Sequence, residues 1–499
     1  MKMLQDSWTW IEYQANRAFT PAYNPLYYLG AICIFFMWVL LASGLYIFFF
    51  YEMTARGAYN SVQNLTVNQW YMGGVMRSAH RYASDGLVLT MVLHAVQTFA
   101  TGRFRHWRWL AWVSGMGCVW FIVADGIFGY VLVWDERGQL AAQLSAIMLD
   151  ALPILSKPIS FAFTQVPSDF FFYILLFVHF IALVFLFMLL VVHVMRMNKA
   201  RTNPPAKVVY ALIFILLAMS SIAPATSTPP ADLAKLPGEV PFDWFYFFIF
   251  PLIKNYSVPV VWALLVSITL ILFFVPWYFP GKRDSAAEVI YENCTGCEQC
   301  VSDCPYEAVY VQPRSDKRNY DLEAVVNPER CASCGICVGA CDYKAINLPF
   351  MREADVKAAI VASAKEIKID SSVLRIFVFM CTKGVSANTI TEISKNASMA
   401  FFLFPCIGMV QPSMISLPFN EGFDGLFVAG CQEGDCHYRN GNKWLADRIG
   451  GVRKPSLRKS VDRTKIRIFM SSSVQGKELL GEIEAFSGTL KERRASTNA

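Results

Sequence analysis

The stretch HRYASDGLVLTMVLH, residues 80–94, begins and ends with histidine, and so does a second apolar stretch, HFIALVFLFMLLVVH, residues 179–193. In each stretch the two histidines are 14 residues apart, which is just under four turns of an α-helix. The two members of a pair therefore share one helix face and lie about 21 Å apart along the axis. Since the chain has only 6 histidines, this pattern predicts two helices that carry imidazoles at two matching levels.

The sequence around these histidines is strongly apolar. Of the 499 residues, 55% are hydrophobic, which is more than a soluble protein of this length usually contains. Six apolar segments are each near the roughly 20 residues needed to cross a hydrocarbon core of about 30 Å. The sequence therefore predicts a membrane domain over residues 1–280, a helical bundle with six spans near 27–50, 74–101, 109–133, 168–197, 206–224 and 257–279.

The distribution of Lys and Arg predicts the orientation of these spans. With the N-terminus in the cytoplasm, eleven basic residues flank the spans on the cytoplasmic side and six on the outer side. The first residues contain no short apolar core followed by a cleavage site, so we expect no signal peptide. We expect a multi-pass protein of the cytoplasmic membrane, with His80 and His179 near the outer face, His94 and His193 near the inner face, and the rest of the chain in the cytoplasm.

Two histidine pairs at matching levels are what two b-type haems require, because each iron takes one axial imidazole from each of two facing helices. A lone histidine in a span is more often a packing residue. Four histidines with matched spacing on two spans instead favour axial ligands, and the predicted pairs are His80 with His179 and His94 with His193.

With these histidines, other residues resemble cytochrome b of the quinol-oxidising bc complexes. Gly30 and Gly44, like Gly115 and Gly129, are 14 residues apart, and GYVLVW at 129–134 resembles the family's Gly-Tyr-Val-Leu-Pro-Trp. The resemblance implies that these glycines let a porphyrin lie flat against its helix, although glycines in spans also serve ordinary helix packing. It further implies that Arg77 pairs with a haem propionate.

The same resemblance implies a quinone site, for menaquinone or ubiquinone. The family's Pro-Glu-Trp-Tyr is replaced by VPFDWFYF at 240–247, so Asp243 and Trp244 would replace the glutamate and the tryptophan. Asp243 could accept a quinol proton, or it could be a solvated loop carboxylate. Asp125, a carboxylate within a span, is a candidate for a proton path. The resemblance also implies a homodimer within a larger complex and an outer-face c-type cytochrome or Rieske protein as partner.

Twelve of the 14 cysteines follow residue 290, and eight of them form two C-x2-C-x2-C-x3-C runs. In a two-cluster ferredoxin each [4Fe-4S] cube takes three ligands from one run and the fourth from the other. Zinc also binds C-x2-C pairs, but it usually takes two separated pairs. The runs predict a ferredoxin domain over residues 286–350, with one cube on Cys294, Cys297, Cys300 and Cys341 and the other on Cys331, Cys334, Cys337 and Cys304.

The last region, residues 372–499, contains four more cysteines. LRIFVFMC (374–381) and FDGLFVAGC (423–431) are typical of buried strands followed by helical stretches, which predicts a small α/β domain. Cys381, Cys406, Cys431 and Cys436 suffice for one [2Fe-2S] cluster, whereas spacing alone also admits a zinc site or spare thiols. GCQEGDCHYRNGN at 430–442 resembles the delta subunit of methyl-viologen-reducing hydrogenases, which commonly has a further cysteine where this chain has Gly384.

Together these features predict a cytochrome b-like helical bundle, a two-cluster ferredoxin α+β domain and a small α/β iron–sulfur domain. The predicted function is a subunit of a quinone/quinol oxidoreductase complex that carries electrons between the quinone pool and a cytoplasmic redox partner. The resemblance to the hydrogenase subunit implies that this partner is a flavin and iron–sulfur enzyme of the heterodisulfide-reductase type. The alternatives are a membrane anchor without its own quinone site and a redox sensor. The net charge of +6 gives little support to nucleic-acid binding.

Overall fold

The computed structural model describes residues 2–153, 158–163, 167–195, 200–235, 240–316, 318–366 and 374–498. Three of the seventeen basic residues that predict the orientation, Lys157, Arg196 and Lys199, lie outside these residues, as does the predicted domain boundary at 372. The chain divides into two compact units. The helical unit comprises Tyr28–Val194 and Arg201–Pro280, and the cysteine-rich unit comprises Met1–Tyr27, Met195–Ala200 and Gly281–Ala499.

Helix α1, Lys2–Phe19, belongs to the cysteine-rich unit. The described residues of the helical unit form the next ten helices. These are α2 (Leu29–Phe48), α3 (Gly57–Val67), α4 (Val75–Ala100), α5 (Trp109–Val133), α6 (Glu136–Asp150), α7 (Asp169–Met195, whose last residue falls in the other unit), α8 (Ala206–Ile222), α9 (Phe250–Asn255), α10 (Val258–Phe273) and α11 (Val275–Tyr278).

Each of the six apolar segments of the sequence contains a helix, namely α2, α4, α5, α7, α8 and α10. Among the described residues, three helical stretches are long and apolar enough to cross a membrane: Pro25–Phe48, His106–Val133 and Asp169–Met195. Helices α8 and α10 are apolar but shorter, and α4 carries Arg77, Arg81 and Asp85. The helical membrane domain is confirmed, and the count of six spans stays a prediction.

Small residues allow the helices of this unit to approach closely. At Gly86 of α4, a Cβ atom would lie 2.6 Å from the ring of Phe36 on α2, so only glycine lets these two helices pack as they do.

Asp135 is the N-cap residue of α6. Its side chain accepts a hydrogen bond from the backbone N–H of Gly138 at 2.9 Å, which satisfies a donor of the first turn.

The ferredoxin region of the cysteine-rich unit is built from two short antiparallel sheets and two short helices. Strand β1 (Glu288–Val289) pairs with β4 (Ile346–Asn347), so the beginning and the end of the region lie side by side. Strand β2 (Val309–Pro313) pairs with β3 (Leu322–Val326). Helices α12 (Gln299–Asp303) and α13 (Ile336–Ala340) each follow the first two cysteines of a run, and α14 (Glu353–Glu366) follows the region.

The C-terminal region is an α/β domain with a four-stranded parallel sheet in the order β6-β5-β7-β8. Its strands are β5 (Ile376–Cys381), β6 (Met399–Phe404), β7 (Gly425–Cys431) and β8 (Ile466–Ser471). Its helices are α15 (Ala387–Ser394), α16 (Pro412–Asn420), α17 (Gly441–Gly450) and α18 (Gly476–Asn498). Every residue of β5 and β7 is buried, which is typical of central strands in a sheet covered on both faces. The two strands predicted to end at Cys381 and Cys431 are confirmed.

Candidate redox sites

Four cysteines line the first cavity of the ferredoxin region. Three come from the first run, Cys294, Cys297 and Cys300, and the fourth is Cys341 of the second run. The space between its lining residues is about 330 Å³, with adjoining open solvent included. Backbone N–H groups donate to two of the sulfurs, from Ala324 to Cys294 at 3.4 Å and from Ala345 to Cys341 at 3.2 Å. Four thiols and these donors fit the ligand set of a [4Fe-4S] cube.

The second cavity has the complementary composition. Cys331, Cys334 and Cys337 of the second run line it together with Cys304 of the first run, and the space between its lining residues is also about 330 Å³, with adjoining open solvent included. The backbone N–H of Ala308 donates to the sulfur of Cys304 at 3.3 Å. The geometry thus groups the eight cysteines into the two sets proposed from their spacing.

The two cavities differ in their access to solvent. Cys297 is exposed, whereas the other seven cysteines of the two runs are buried. Burial, followed by the neighbouring thiols of the same cavity, raises the pKa of Cys300 to about 12. Burial also raises the pKa of Cys304, Cys337 and Cys341. These thiols are therefore neutral at pH 7 unless a positive charge, such as that of iron, favours the thiolate.

Four further cysteines converge at the carboxyl end of the parallel sheet. Cys381 ends β5 and Cys431 ends β7, and their sulfurs are 3.4 Å apart. Cys436 lies within hydrogen-bonding range of both Cys406 and Cys431. All four side chains are buried. The thiols can supply the four ligands of a [2Fe-2S] cluster, although no group of His, Cys, Asp or Glu among the described residues is arranged to hold a single metal ion.

Glycines bring the backbone close to these four cysteines. A Cβ at Gly384 would lie 3.0 Å from the backbone of Gly430 and Cys431, so this position has little room for a further cysteine. A Cβ at Gly441 would collide with the sulfur of Cys406. The site therefore brings the four candidate cysteines together and has little space for a fifth, and their role as cluster ligands stays a prediction.

The ferredoxin region and the C-terminal domain share a buried charged contact. Asp303, the residue before Cys304, is completely buried and accepts a hydrogen bond from Arg448 at 2.5 Å and another from Nε of Arg453 at 3.0 Å. Trp444 donates its indole N–H to the backbone carbonyl of Asp303 at 3.2 Å. Burial lowers the pKa of Arg448, and the carboxylate of Asp303 opposes this shift. The charges satisfy one another inside the unit, where leaving one unpaired would be costly.

A second contact lies beside the cysteine sites. Gln411 donates its side-chain N–H groups to the carbonyls of Val338 at 2.9 Å and Cys341 at 3.2 Å. A Cβ at Gly335 would lie 2.8 Å from the side chain of Met409. Cys406 of the C-terminal site lies close enough to Cys334 of the second cavity for the two to interact electrostatically. The second cavity therefore neighbours the C-terminal cysteines.

In the helical unit, the four predicted histidines lie on α4 and α7. The ring centres of His94 and His193 are 6.4 Å apart, and the two ring planes are inclined at 73°. An imidazole nitrogen binds a metal at about 2 Å, so two imidazoles on opposite sides of one iron have ring centres roughly 6 Å apart. His80 and His179 are likewise near enough to interact electrostatically. The separation of His94 and His193 fits bis-histidine ligation, and His80 and His179 are neighbours.

A glycine faces each of these histidines. A Cβ would lie 3.4 Å from His94 if added at Gly30, 3.0 Å from His80 at Gly44, 3.2 Å from His193 at Gly115 and 3.8 Å from His179 at Gly129. The glycines belong to α2 and α5, so each histidine lies against a helix that offers backbone rather than a side chain. Such a surface leaves room for the flat face or the edge of a porphyrin.

Serines and a carboxylate contact the second nitrogen of three histidines. Nδ1 of His80 lies 3.0 Å from Oγ of Ser43, and Nδ1 of His193 lies 3.3 Å from Oγ of Ser114. Nδ1 of His179 lies 2.7 Å from Oδ1 of Asp125. These contacts leave Nε2 as the nitrogen for a metal, since the partner of one ring nitrogen selects the other as the ligand.

Arg77 is buried at the beginning of α4. Its guanidinium donates to the hydroxyl of Thr66 and, at 2.8 Å, to the hydroxyl of Ser227. Both of these partners are neutral, and the carboxylate of Asp135 is close enough to interact electrostatically with the guanidinium. The pairing of Arg77 with a haem propionate stays a prediction.

Asp243 is held in a network of hydrogen bonds. Its Oδ1 accepts from the backbone N–H of Phe245 at 2.7 Å and of Tyr246 at 3.1 Å. Its Oδ2 accepts from the guanidinium of Arg81 at 2.5 Å and from the hydroxyl of Tyr130. Asp243 is buried, so the interpretation of this residue as a solvated loop carboxylate is wrong. Trp244, in contrast, is 80% exposed.

Several residues of these sites were not predicted from the sequence. Arg81 joins Asp243 to Asp85 by pairing with both carboxylates. Ser43 and Ser114 each precede one of the predicted glycines, and this repeated Ser-Gly pair is the sequence signal that indicates a serine beside a histidine. Asp303 and Arg448 are 145 residues apart, and no local pattern indicates their contact.

Three family models match the chain. The model "Cytochrome b(N-terminal)/b6/petB" matches residues 86–229, "4Fe-4S dicluster domain" matches 293–345, and "Methyl-viologen-reducing hydrogenase, delta subunit" matches 376–492. The first range includes His94, His179 and His193, whereas His80 precedes it. The other two ranges include all twelve cysteines after residue 290. All three resemblances noted in the sequence are thus confirmed.

Among curated proteins, the chain is similar to cytochrome b6. It is 34% identical over 137 residues to cytochrome b6 of Synechococcus elongatus, a match that covers 28% of this chain and 63% of the relative. It is 34% identical over 140 residues to cytochrome b6 of Mastigocladus laminosus, which covers 28% of this chain and 65% of that relative. The chain thus spans somewhat less than two thirds of the length of these relatives.

Among solved structures, the chain is similar to one titled "Hyperthermophilic respiratory Complex III". The TM-score is 0.43 at 15% sequence identity, and the match covers 50% of this chain and 75% of that chain.

Proposed function

We propose that this chain, which joins a cytochrome b N-terminal region, a 4Fe-4S dicluster domain and a domain of the hydrogenase delta-subunit type in that order, is an electron-transfer subunit. It links the quinone pool of the cytoplasmic membrane to a soluble redox partner. Its redox groups are two b haems, two [4Fe-4S] clusters and one [2Fe-2S] cluster.

The observation that carries this proposal is that candidate ligands are grouped at five separate sites. Two histidine pairs, each backed by two glycines, lie in the helical unit, and three groups of four cysteines lie in the cysteine-rich unit. Each set has the composition of a one-electron group, namely two imidazoles for a b haem and four thiolates for an iron–sulfur cluster. When bound, these groups supply reversible one-electron chemistry.

Exposure and contacts within the cysteine-rich unit support one order of the three cysteine groups along the electron path. Cys297 is the exposed ligand of the first cavity, so this cavity is the one open to a donor or acceptor outside the unit. The second cavity neighbours the C-terminal cysteines through Cys334 and Cys406. The buried contact of Asp303 with Arg448 and Arg453 holds the two regions together. We therefore place the second cavity between the first cavity and the C-terminal site in the electron path.

In the helical unit, Asp243 and its neighbours are the candidates for proton handling at a quinone site. The carboxylate of Asp243, the phenol of Tyr130 and the guanidinium of Arg81 form one hydrogen-bonded group, and Arg81 extends it to Asp85. A carboxylate within a membrane domain is costly unless it is paired or functional, and such groups mark proton or substrate paths. Trp244, with its side chain exposed beside Asp243, would contact the quinone ring.

The family resemblances imply one partner for each end of this path. The C-terminal domain would dock a flavin and iron–sulfur enzyme of the heterodisulfide-reductase type in the cytoplasm. A c-type cytochrome or a Rieske protein would be the partner at the outer face, within a larger complex that contains two copies of the chain.

A membrane anchor or redox sensor without a working quinone site is the second candidate function. The observation that favours it is the state of Asp243, since both of its carboxylate oxygens already accept hydrogen bonds within the protein. Under this hypothesis the network around Asp243 is structural, and the clusters exchange electrons only with protein partners.

Chemical analysis and a quinol assay separate the two candidates. The purified full-length protein should contain two haems and ten non-haem irons per chain. A quinol added without oxygen should reduce the haems, as followed by their absorbance, to an extent set by the potentials of the quinol and the haems. Fewer than two haems per chain would contradict the proposed cofactors. Two haems that exchange no electrons with either quinol or quinone would favour the anchor or sensor.

A further inference from the structure

The two histidine pairs of the helical unit differ in what contacts the ligand histidines. Nδ1 of His80 and Nδ1 of His193 each lie near a serine hydroxyl. Nδ1 of His179 instead lies 2.7 Å from a carboxylate oxygen of Asp125, a separation at which an N–H group can donate to it. A neutral oxygen and a carboxylate differ strongly in their effect on an imidazole.

Asp125 is an unusual residue for its position. It lies on α5, a helix that is long and apolar enough to cross a membrane, where an unpaired carboxylate would be costly. Its Oδ1 atom and Nδ1 of His179 are both buried, and neither makes a hydrogen bond of standard geometry to another described residue. The carboxylate is therefore the charged group next to this imidazole, at 2.7 Å, and the backbone of Asp125 is a further hydrogen-bonding partner of His179.

We propose that Asp125 is a positioning residue for His179 that lowers the reduction potential of the haem held by His80 and His179. The inference rests on the proposed function, since it requires a haem at that pair. It replaces the proton path as the role of Asp125. The carboxylate holds the Nδ1 proton of His179, which fixes the tautomer and leaves Nε2 to bind iron.

The expected effect on the potential follows from charge. A carboxylate that accepts the Nδ1–H bond increases the electron density on the imidazole and makes it a stronger donor to the metal. A stronger axial donor stabilises the oxidised iron more than the reduced iron, so the potential falls. The negative charge of Asp125 acts in the same direction, because reduction adds an electron nearby. His193, whose neighbour is Ser114, experiences neither effect from its hydroxyl partner.

The test is a spectroscopic redox titration of the purified full-length protein and its Asp125→Asn variant. Asparagine keeps the size of the side chain and removes the charge. We expect the variant to keep both haems, with one midpoint potential shifted upward and the other unchanged. The low-spin EPR signal of the shifted haem should change as well, because its ligand field changes. Two haems with both potentials unchanged would overturn the inference and leave the proposed function intact.

Ser114→Ala serves as the matched control, because Ser114 makes the corresponding contact with His193 of the other pair. Any shift in this variant should affect the component that Asp125→Asn leaves unchanged. A shift of the same component in both variants would contradict the assignment of Asp125 to the haem of His80 and His179.

Asp125→Glu keeps the inference testable if the asparagine variant loses a haem. The longer carboxylate can still reach Nδ1, so we expect this variant to keep both haems and a potential closer to that of the unmodified protein. Loss of the same haem from both variants would contradict the role of the carboxylate. An unmodified protein with no haem at all would instead contradict the proposed function.

Discussion

At the scale of single residues, the partners of a few buried side chains determine the chemistry of those side chains. Asp243 is the clearest case, because its two oxygens accept four hydrogen bonds from two backbone N–H groups, a guanidinium and a phenol. One oxygen organises the local backbone, and the other joins the charged network of Arg81 and Tyr130. A quinol proton would reach Oδ2 of Asp243, the oxygen that accepts from Arg81 and Tyr130.

Asp243→Asn tests this division between the two oxygens. The amide oxygen can still accept the backbone bonds, whereas the charge that pairs with Arg81 is lost. We therefore expect normal haem content and at least a tenfold slower reduction of the haems by quinol, corresponding to about 1.4 kcal/mol in the barrier.

Asp232→Asn is the control for this prediction. Asp232 is an exposed carboxylate that pairs with Lys235, and its loss should leave quinol-dependent reduction unchanged. Equal rates in the Asp243→Asn and unmodified proteins would remove Asp243 from the proposed site.

The sequence indicated candidate ligands but not the residues that contact them. His80, His94, His179 and His193 could be found because helical periodicity links residues 14 apart on one helix. The contact of Asp125 with His179 and that of Arg81 with Asp243 join different elements, so no periodicity within one element indicates them. Asp125 and Asp243 were recognised as unusual carboxylates, but their partners emerged only from the packing of the helices.

At the scale of secondary-structure elements, helices α2 and α5 act as surfaces against which the histidines of α4 and α7 lie. Each of these two surfaces contains two glycines 14 residues apart, at the same spacing as the histidines that they face. The match of the two spacings is what two haem sites at two levels of the helical bundle would require. Substitution of one glycine should therefore affect one site and spare the other.

Gly44→Leu tests this expectation. A Cβ at this position would already lie 3.0 Å from His80, and the rest of a leucine side chain would occupy the space proposed for the porphyrin. We expect the purified variant to contain one haem per chain instead of two, with the spectrum and potential of the haem of His94 and His193 unchanged.

Gly481→Ala is the control, since nothing lies within 4 Å of a Cβ at this position in α18. It should keep both haems and stabilise the helix by roughly 0.5–1 kcal/mol. Two haems in Gly44→Leu would show that Gly44 does not face a porphyrin.

Two of the four C-terminal strands could be predicted from the sequence, and two could not. The apolar runs that end at Cys381 and Cys431 were identified from composition, and both form fully buried parallel strands. Strands β6 and β8 complete the sheet but were not individually predicted, because their partly exposed residues give a weaker apolar signal. The order β6-β5-β7-β8 depends on contacts between distant segments and required the structure.

At the scale of the whole molecule, the cysteine-rich unit is one compact body in which two regions that are distinct in sequence, the ferredoxin region and the C-terminal domain, pack together. The pair of Asp303 and Arg448 is completely buried between them, and Arg453 adds a second cation. Breaking a buried charge pair by removing one partner is strongly destabilising, because the remaining charge stays unpaired and desolvated.

Asp303→Asn should therefore destabilise this unit by about 3–5 kcal/mol. Denaturant unfolding of the full-length protein, followed by the bleaching of cluster absorbance, measures the effect. The denaturant midpoint should fall clearly, with haem absorbance lost only at the concentration required by the unmodified protein.

Glu392→Gln provides the comparison for Asp303→Asn. It breaks an exposed pair with Lys395 and should change the stability by less than about 1 kcal/mol. Equal unfolding midpoints for the Asp303→Asn and Glu392→Gln variants would contradict the account of the interface.

The measurement that most directly tests the proposed electron path is the anaerobic oxidation of reduced clusters by a quinone. The full-length protein is reduced completely, mixed rapidly with the quinone, and followed by haem absorbance and cluster EPR. The haems and then the clusters should be oxidised. His94→Ala removes a proposed axial ligand of the haem at His94 and His193, so in this variant cluster oxidation should slow at least tenfold while the remaining haem is oxidised normally. Cluster oxidation at an unchanged rate in that variant would contradict a path through the haems.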